Sequence, residues 1–208
     1  MLAAFTAGLL LITISELGDK TFFIAAILAM RHPRRWVLLG SIAALSAMTV
    51  LSVLMGQAVG LFPEAYVRWA EVLLFFGFGL KLLYDASQMS SEPDLEEQQE
   101  AIEAVKESEA RLKRRNGAAV LTQAFGLTFV AEWGDRTQFT TIALAAANNP
   151  YGVTVGAILG HAICAAIAVL CGRMICKHLS ERTITAIGGG LFLLFAAIGL
   201  VKMIGLLS

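Results

Sequence analysis

A run of 44 residues in the first half of this 208-residue chain reappears in the second half without a gap. Shifted by 116 positions, residues 13–56 fall on 129–172 with thirteen identities. Agreement is densest where Glu16-Leu17-Gly18-Asp19-Lys20-Thr21 meets Glu132-Trp133-Gly134-Asp135-Arg136-Thr137. It continues through Phe23 and Phe139, Gly40 and Gly156, Ile42 and Ile158, Gly56 and Gly172. A chain with this pattern builds one structural unit twice.

Apolar segments set what that unit is. The chain is 57% hydrophobic and 15% charged, with a mean hydropathy of +0.72, too apolar for an ordinary soluble domain. A membrane-spanning helix needs about 20 mostly apolar residues. Six segments qualify: 2–30, 36–61, 67–86, 117–147, 151–175 and 183–207. Breaks fall at Arg31-His32-Pro33-Arg34-Arg35, at Pro63 and at Asn148-Asn149-Pro150, where proline disfavours helix in the residue before it. The apolar opening superficially resembles a signal peptide. No Lys or Arg precedes it and no clear cleavage site follows, so it reads as part of the first helix. The expected fold is an all-α integral membrane protein of six transmembrane helices. Residues 1–86 form one three-helix repeat, 87–116 a charged cytoplasmic linker, and 117–208 the second repeat. An odd number of spans per repeat makes the second enter the membrane inverted, a layout common among secondary transporters.

Loop charge sets the orientation. Loops on one side carry Arg31, Arg34, Arg35, Lys106, Arg111, Lys113, Arg114, Arg115, Arg173, Lys177 and Arg182, against Arg68 and Lys202 on the other. The first side is expected to be cytoplasmic, which leaves both termini outside the cytoplasm. In the linker, Leu95, Ile102, Val105 and Leu112 recur at near-heptad spacing after Pro93. Its acids (Asp94, Glu96, Glu97, Glu100) precede its bases, an order that suits a helix dipole. A regulatory or cation-attracting segment is one reading; a solvated amphipathic spacer is the simpler one.

The repeated motif places carboxylates where charge costs about 3 kcal/mol on insertion scales. On a helix, residues three apart share a face. Glu16 and Asp19 are thus expected to point together into the bundle, as are Glu132 and Asp135. Gly18 and Gly134 weaken the helix and admit local unwinding, and Thr21 and Thr137 add hydroxyl oxygens. Brought together by pseudo-symmetry, the four acids make an oxygen-only set suited to Ca²⁺, Mg²⁺ or Mn²⁺. Neither motif holds His or Cys, which argues against a dedicated Zn²⁺ or Cu⁺ site. Four bare carboxylates would repel one another, so an empty site should take up protons that a metal ion then expels. That competition is a mechanism for cation/proton antiport. One reading of Lys20 and Arg136 pairs them with Glu16 and Glu132, four residues before them, to neutralise buried charge; the other has them tune the acids or mimic a cation when the site is empty.

Other polar residues carry less. His161 is either a proton shuttle or, more simply, a buried histidine with a local hydrogen bond. Gln123 and Gln138 could offer oxygen ligands. Glu71 is expected to reach the membrane interface, and Lys81 to pair with Asp85. The Gly188-Gly189-Gly190 run suits close helix packing. Cys164, Cys171 and Cys176 have no metal or disulfide spacing and read as small apolar residues. No nucleophile–base set and no cofactor loop is present, so an enzyme and a bound cofactor are not expected. The zero net charge gives no nucleic-acid signal. Two other functions fit the same residues: export of a small organic cation such as a basic amino acid, and a non-transporting membrane assembly factor.

The doubled E-x-G-D-[KR]-T motif, three hydrophobic helices per half and the charged central loop resemble the Golgi-type Ca²⁺/Mn²⁺ transporter family of the lysine-exporter superfamily. The resemblance covers nearly the whole chain. It implies export of Mn²⁺ or Ca²⁺ from the cytoplasm in exchange for protons, with a divalent cation and the lipid bilayer as partners and room for a homo-oligomer. It carries over Glu16, Gly18, Asp19, Lys20 and Thr21, and Glu132, Gly134, Asp135, Arg136 and Thr137, as motif residues. The lack of an N-terminal targeting extension suggests a prokaryotic member and the opening stretch resembles a cyanobacterial one, seated in a bacterial inner membrane or a thylakoid membrane.

Overall fold

Helix boundaries follow the sequence closely, with one exception repeated in both halves. The computed structural model describes residues 1–89, 96–111, 116–175 and 181–205, and these are helical apart from short turns. In chain order the helices are α1 (Leu2–Glu16), α2 (Lys20–Arg31), α3 (Arg34–Val59), α4 (Glu64–Gln88), α5 (Glu96–Arg111), α6 (Gly117–Ala131), α7 (Arg136–Ala147), α8 (Pro150–Ile175) and α9 (Glu181–Met203). Pro33 and Pro63 sit at the N-caps of α3 and α4. Pro150 opens α8, where its missing N–H costs nothing, and Asn149 Oδ1 accepts from Gly152 N at 3.0 Å. Asn116 caps α6 by accepting from Ala119 N at 2.9 Å.

The exception is that the first and fourth apolar segments are each two helices. The α1–α2 pair bends by 65° at the motif. By length and composition α3, residues 150–171 of α8 and residues 182–203 of α9 are long and apolar enough to cross a membrane, and the bent α1–α2 pair adds a fourth candidate if it is taken as one span. α6 is apolar but shorter.

Each broken helix is backed by an unbroken helix from the other half. α8 packs along α1 and α2, and α3 along α6 and α7. Equivalent glycines, one in each half, make the two contacts close. A Cβ on Gly40 would lie 2.5 Å from Leu121 O and 3.1 Å from Phe125 N. A Cβ on Gly156 would collide with Phe5 O and Leu9 N. Each residue of one set lies 116 positions from its counterpart in the other, so the sequence repeat is also a repeat of contacts. α4 packs on α9. There a Cβ on Gly79 would come within 3.0 Å of Gly189 O, the packing expected of the glycine run.

Two apolar clusters hold the bundle. One joins Phe22 to Ala29 of α2 with Val120, Ala124, Ala168 and Val169; the other joins Leu11, Phe75, Leu82, Leu144 and Phe192. The first takes in the linker. Ala101 and Val105 of α5 are fully buried against it. Glu100 takes Lys20 Nζ at 2.8 Å, and Glu109 takes Arg31 at 2.6 Å and His32 at 3.1 Å. The solvated-spacer reading therefore fails for one face of the linker, which docks on α2. Pro93, Asp94, Leu95, Leu112, Lys113, Arg114, Arg115, Cys176, Lys177 and the end of the last segment lie outside the described residues.

Candidate cation site

Leu17, Gly18 and Asp19 leave helical geometry, and so do their counterparts. Gly18 has φ +83° and Gly134 φ +82°, the left-handed region where an added Cβ is strained. Glu16 therefore ends α1 while Asp19 caps α2, its Oδ1 accepting from Lys20 N at 2.7 Å. Glu132 sits at the C-cap of α6, and Asp135 caps α7 by accepting from Thr137 N at 3.1 Å. This corrects the expectation of one helical face. The acids of each motif belong to two different helix ends, brought near each other by the turn between them. The helix N-termini that Asp19 and Asp135 cap favour negative charge there, whereas Glu16 and Glu132 sit at C-terminal ends that do not.

The turn gathers acids from both halves. Oxygens of Glu16, Glu132 and Asp135 lie within 4.8 Å of one another. Asp19, the fourth expected ligand, stands against Arg136 at 3.5 Å. Glu16 and Glu132 are each 2% exposed, deep burial for a carboxyl group. The threonines serve them in matched fashion. Thr21 Oγ1 donates to Glu16 Oε2 at 3.0 Å, and Thr137 Oγ1 to Glu132 Oε2 at 3.0 Å. Thr137 Oγ1 also lies 3.2 Å from Asp135 Oδ2.

The bases do not do what spacing suggests. Lys20 turns away to Glu100 rather than back to Glu16. Arg136 donates to Ser15 O at 3.1 Å and faces Asp19, not Glu132. Among the described residues, no Lys or Arg nitrogen comes within 4.0 Å of Glu16, Glu132 or Asp135. Glu16 Oε1 is buried with no hydrogen-bond partner. Its neighbour is His161 Nδ1 at 3.7 Å, also without a partner, so the local hydrogen bond expected for His161 is absent on that nitrogen.

Other residues fall into place around the cluster. Gln138 braces the second turn, its Oε1 accepting from Gly134 N at 2.8 Å, and its amide reaches Met48 Sδ at 3.1 Å. Both polar atoms of Gln123 are buried without partners. Cys164 is buried and donates to Thr13 O at 3.1 Å; Cys171 is exposed, and both are free thiols. A cavity of about 250 Å³ reaches Asp19 and Arg136 from the ends of α4 and α9, with Lys81, Asp85 and Met89 on its wall. Lys81 and Asp85 do not form the ion pair their spacing suggests. A smaller cavity of about 160 Å³ joins Asp19, Glu132 and Asp135 to Lys20 and Glu100.

Sequence reasoning missed three features here: the α5 contact, the Arg136 contact across halves and the burial of Glu71. Partners 80 to 121 residues apart in the first two leave no local signal.

Residues 4–90 and 120–205 match the family described as the divalent cation/proton antiporter GDT1, and one motif lies in each matched block. The chain belongs to that family. A GDT1-like protein of Synechocystis sp. is 59% identical over 199 residues, covering 95% of this chain and 97% of the relative. GDT1-like protein 4 of Oryza sativa subsp. indica is 45% identical, over 93% of this chain and 71% of the relative. The Arabidopsis thaliana protein PAM71-homolog, chloroplastic, is 42% identical, over 94% and 58% respectively. No solved structure matches the chain. Family membership makes the protein a membrane cation transporter and not an enzyme. An antiporter handles ions as cargo and calls for no bound cofactor.

Proposed function

We propose that the protein exports Mn²⁺ or Ca²⁺ from the cytoplasm in exchange for protons, through one midplane site built from Glu16, Asp19, Glu132 and Asp135. The observation that carries this reading is the oxygen cluster of buried Glu16 and Glu132 with half-buried Asp135, with no basic side chain upon it and one Glu16 oxygen unpartnered. Magnitudes support it. Two like charges 4.8 Å apart repel by about 3.5 kcal/mol at an effective dielectric of 20. Three such pairs cost about 10 kcal/mol, comparable to the stability of a whole domain. The cluster is tenable only with a divalent cation or with protons, and the exchange of one for the other is antiport. Asp19 joins as the acid that Arg136 holds when cargo is absent, and Thr21 and Thr137 orient the glutamates.

The reading takes the chain as six spans in two inverted repeats. The matched contacts of Gly40 and Gly156 support that, as does the exchange of backing helices between halves. Loop charge puts α5 and the α2–α3 turn on the cytoplasmic side, both termini on the other. Relatives from Synechocystis and from chloroplasts fit a bacterial inner membrane or a thylakoid membrane. Transport proceeds by alternating access: the cation displaces protons from the cytoplasmic side, the halves rock, and protons displace the cation on the far side.

Proteoliposome flux tests it. Glu16→Gln and Glu132→Gln should each abolish Mn²⁺ or Ca²⁺ movement driven by a pH gradient while the protein still folds. Undiminished flux in both variants would sink the carboxylate site.

A further inference from the structure

A second cavity lies in the same seam as the first, at its opposite end. It has a volume of about 420 Å³ and, like the first, is walled by α1, α4, α7 and α9. Between the two stands an apolar plug. Phe75 and Leu144 line the second cavity and Leu82 lines the first. Phe192, fully buried, packs edge-on against Phe75 and Phe78 at 5.7 Å each. Phe75 and Leu82 are seven residues apart on α4, so the plug is about 10 Å thick.

The second cavity holds a titratable group that the cation site does not use. Glu71 is 8% exposed, and its Oε1 accepts from Asn148 Nδ2 at 2.7 Å. The charged groups around it are few. Arg68, on the same helix, is engaged by Glu64 at 2.7 Å, and Lys202 of α9 lines the cavity wall. α1 and α7 present no charged side chain to the cavity. Asn148 is the C-cap of α7, the helix whose N-cap is Asp135. One 12-residue helix, about 18 Å long, thus touches the cation cluster with one end and Glu71 with the other.

Resting on the function proposed above, we infer that this cavity is the far-side vestibule of the transport path and that Glu71 is its proton-uptake group. The Glu71 carboxylate takes a proton from vestibule water and becomes a carboxylic acid. When the Phe75–Phe192 plug parts, that proton passes to the carboxylates the cation leaves, and Glu71 returns to its ionised form. Arg68 and Lys202 nearby make the vestibule a poor resting place for a divalent cation, so Glu71 handles the proton and not the cargo. Asn148 ties its position to α7, so that movement at Asp135 is felt at Glu71.

A merely structural role, tying α4 to α7, makes a different prediction. Glu71→Gln keeps an oxygen to accept from Asn148 but cannot take up a proton. Asn148→Ala breaks the tie but leaves the carboxyl group. Both variants, with Glu16→Gln beside them, are to be measured by Mn²⁺ flux in proteoliposomes over a range of far-side pH, and by the Mn²⁺-dependent thermal shift in detergent. The expected result is that Glu71→Gln slows exchange at least tenfold and flattens its dependence on far-side pH, with its Mn²⁺ thermal shift unchanged. Asn148→Ala should lose less flux and keep the pH dependence. Glu71→Gln running with the wild-type pH profile, or Asn148→Ala proving the more damaging, overturns the inference while Glu16→Gln stays inactive. Normal flux in Glu16→Gln overturns the cation site and this inference with it.

Discussion

Glu16 and Glu132 sit in matched settings, at helix ends before a left-handed glycine, each taking a hydroxyl from the threonine five residues on at 3.0 Å. Lys20 and Arg136 match as well in sequence and part company in space. Lys20 faces outward to the linker helix, whereas Arg136 crosses to the first half and holds Ser15 O and Asp19. The difference shows which parts of the site the repeat fixes and which it leaves free. Both copies keep the same turn, with a left-handed glycine between the two acids. The bases need only be near, and the two sit in different surroundings. The 250 Å³ cavity reaches Asp19 and Arg136 from the α4–α9 end, and Lys20 lies instead beside Glu100.

Removing the bases is the strongest way to break this comparison. Arg136→Gln should cut flux about thirtyfold. It strips a partly buried partner from Asp19 and a donor from Ser15 O, a loss of about 2 kcal/mol at the low end for desolvated charge pairs. Lys20→Gln should stay within about threefold of wild type, since its partner is half exposed. Equal losses, measured as initial Mn²⁺ uptake into proteoliposomes, would mean that the two bases act alike during transport despite their different rest positions.

The turns should behave as a matched pair. Gly18→Ala and Gly134→Ala each force a Cβ into φ near +82°, at about 1–2 kcal/mol. They also misalign the acids on either side. Each should lower flux about tenfold with little change in expression. A large effect at one glycine and none at the other would break the symmetry of the acidic half of the site.

Much of this was legible beforehand because it is written in residue identity. The 116-residue offset, the proline-marked ends of α3, α4 and α8, and the acids themselves need no structure. The turn was half legible: glycine between two acids signals weakness, but helical spacing wrongly placed Glu16 and Asp19 on one face. Glu71 shows what could not be read. Its place near the outer end of its helix suggested an escape to the interface, whereas Asn148, 77 residues away, gives it a half-buried hydrogen-bond partner. Asn148 had served only to mark the end of a helix. In the linker, the spacing of Ile102 and Val105 announced an apolar face, yet nothing local named α2 as the surface that covers it.

The threonines sharpen the comparison by stability rather than flux. Thr21→Val leaves a buried Glu16 oxygen without its donor, at about 1 kcal/mol, the low end for such a loss. For a chain of this size that is a fall in Tm of about 2–4 °C. Thr137→Val should cost more, since the same hydroxyl also lies 3.2 Å from Asp135. Thermal unfolding in detergent without divalent cation ranks the two; a larger fall for Thr21 would contradict the hydrogen-bond geometry.

The smallest effect belongs to Glu100→Gln. The Lys20–Glu100 pair is 2.8 Å long, but its side chains are 34% and 54% exposed. Such a pair contributes about 0–1 kcal/mol, because water and salt screen it. The linker helix is held mainly by Ala101 and Val105, fully buried, and by Glu109 with Arg31 and His32. Glu100→Gln should therefore shift Tm by less than about 2 °C. Val105→Asp, which puts a charge into that contact, should loosen α5 and expose it to limited proteolysis. If Glu100→Gln alone released α5 to protease, the linker would be held by charge at its first turn, and the contrast between an outward Lys20 and an inward Arg136 would be one of control as well as position.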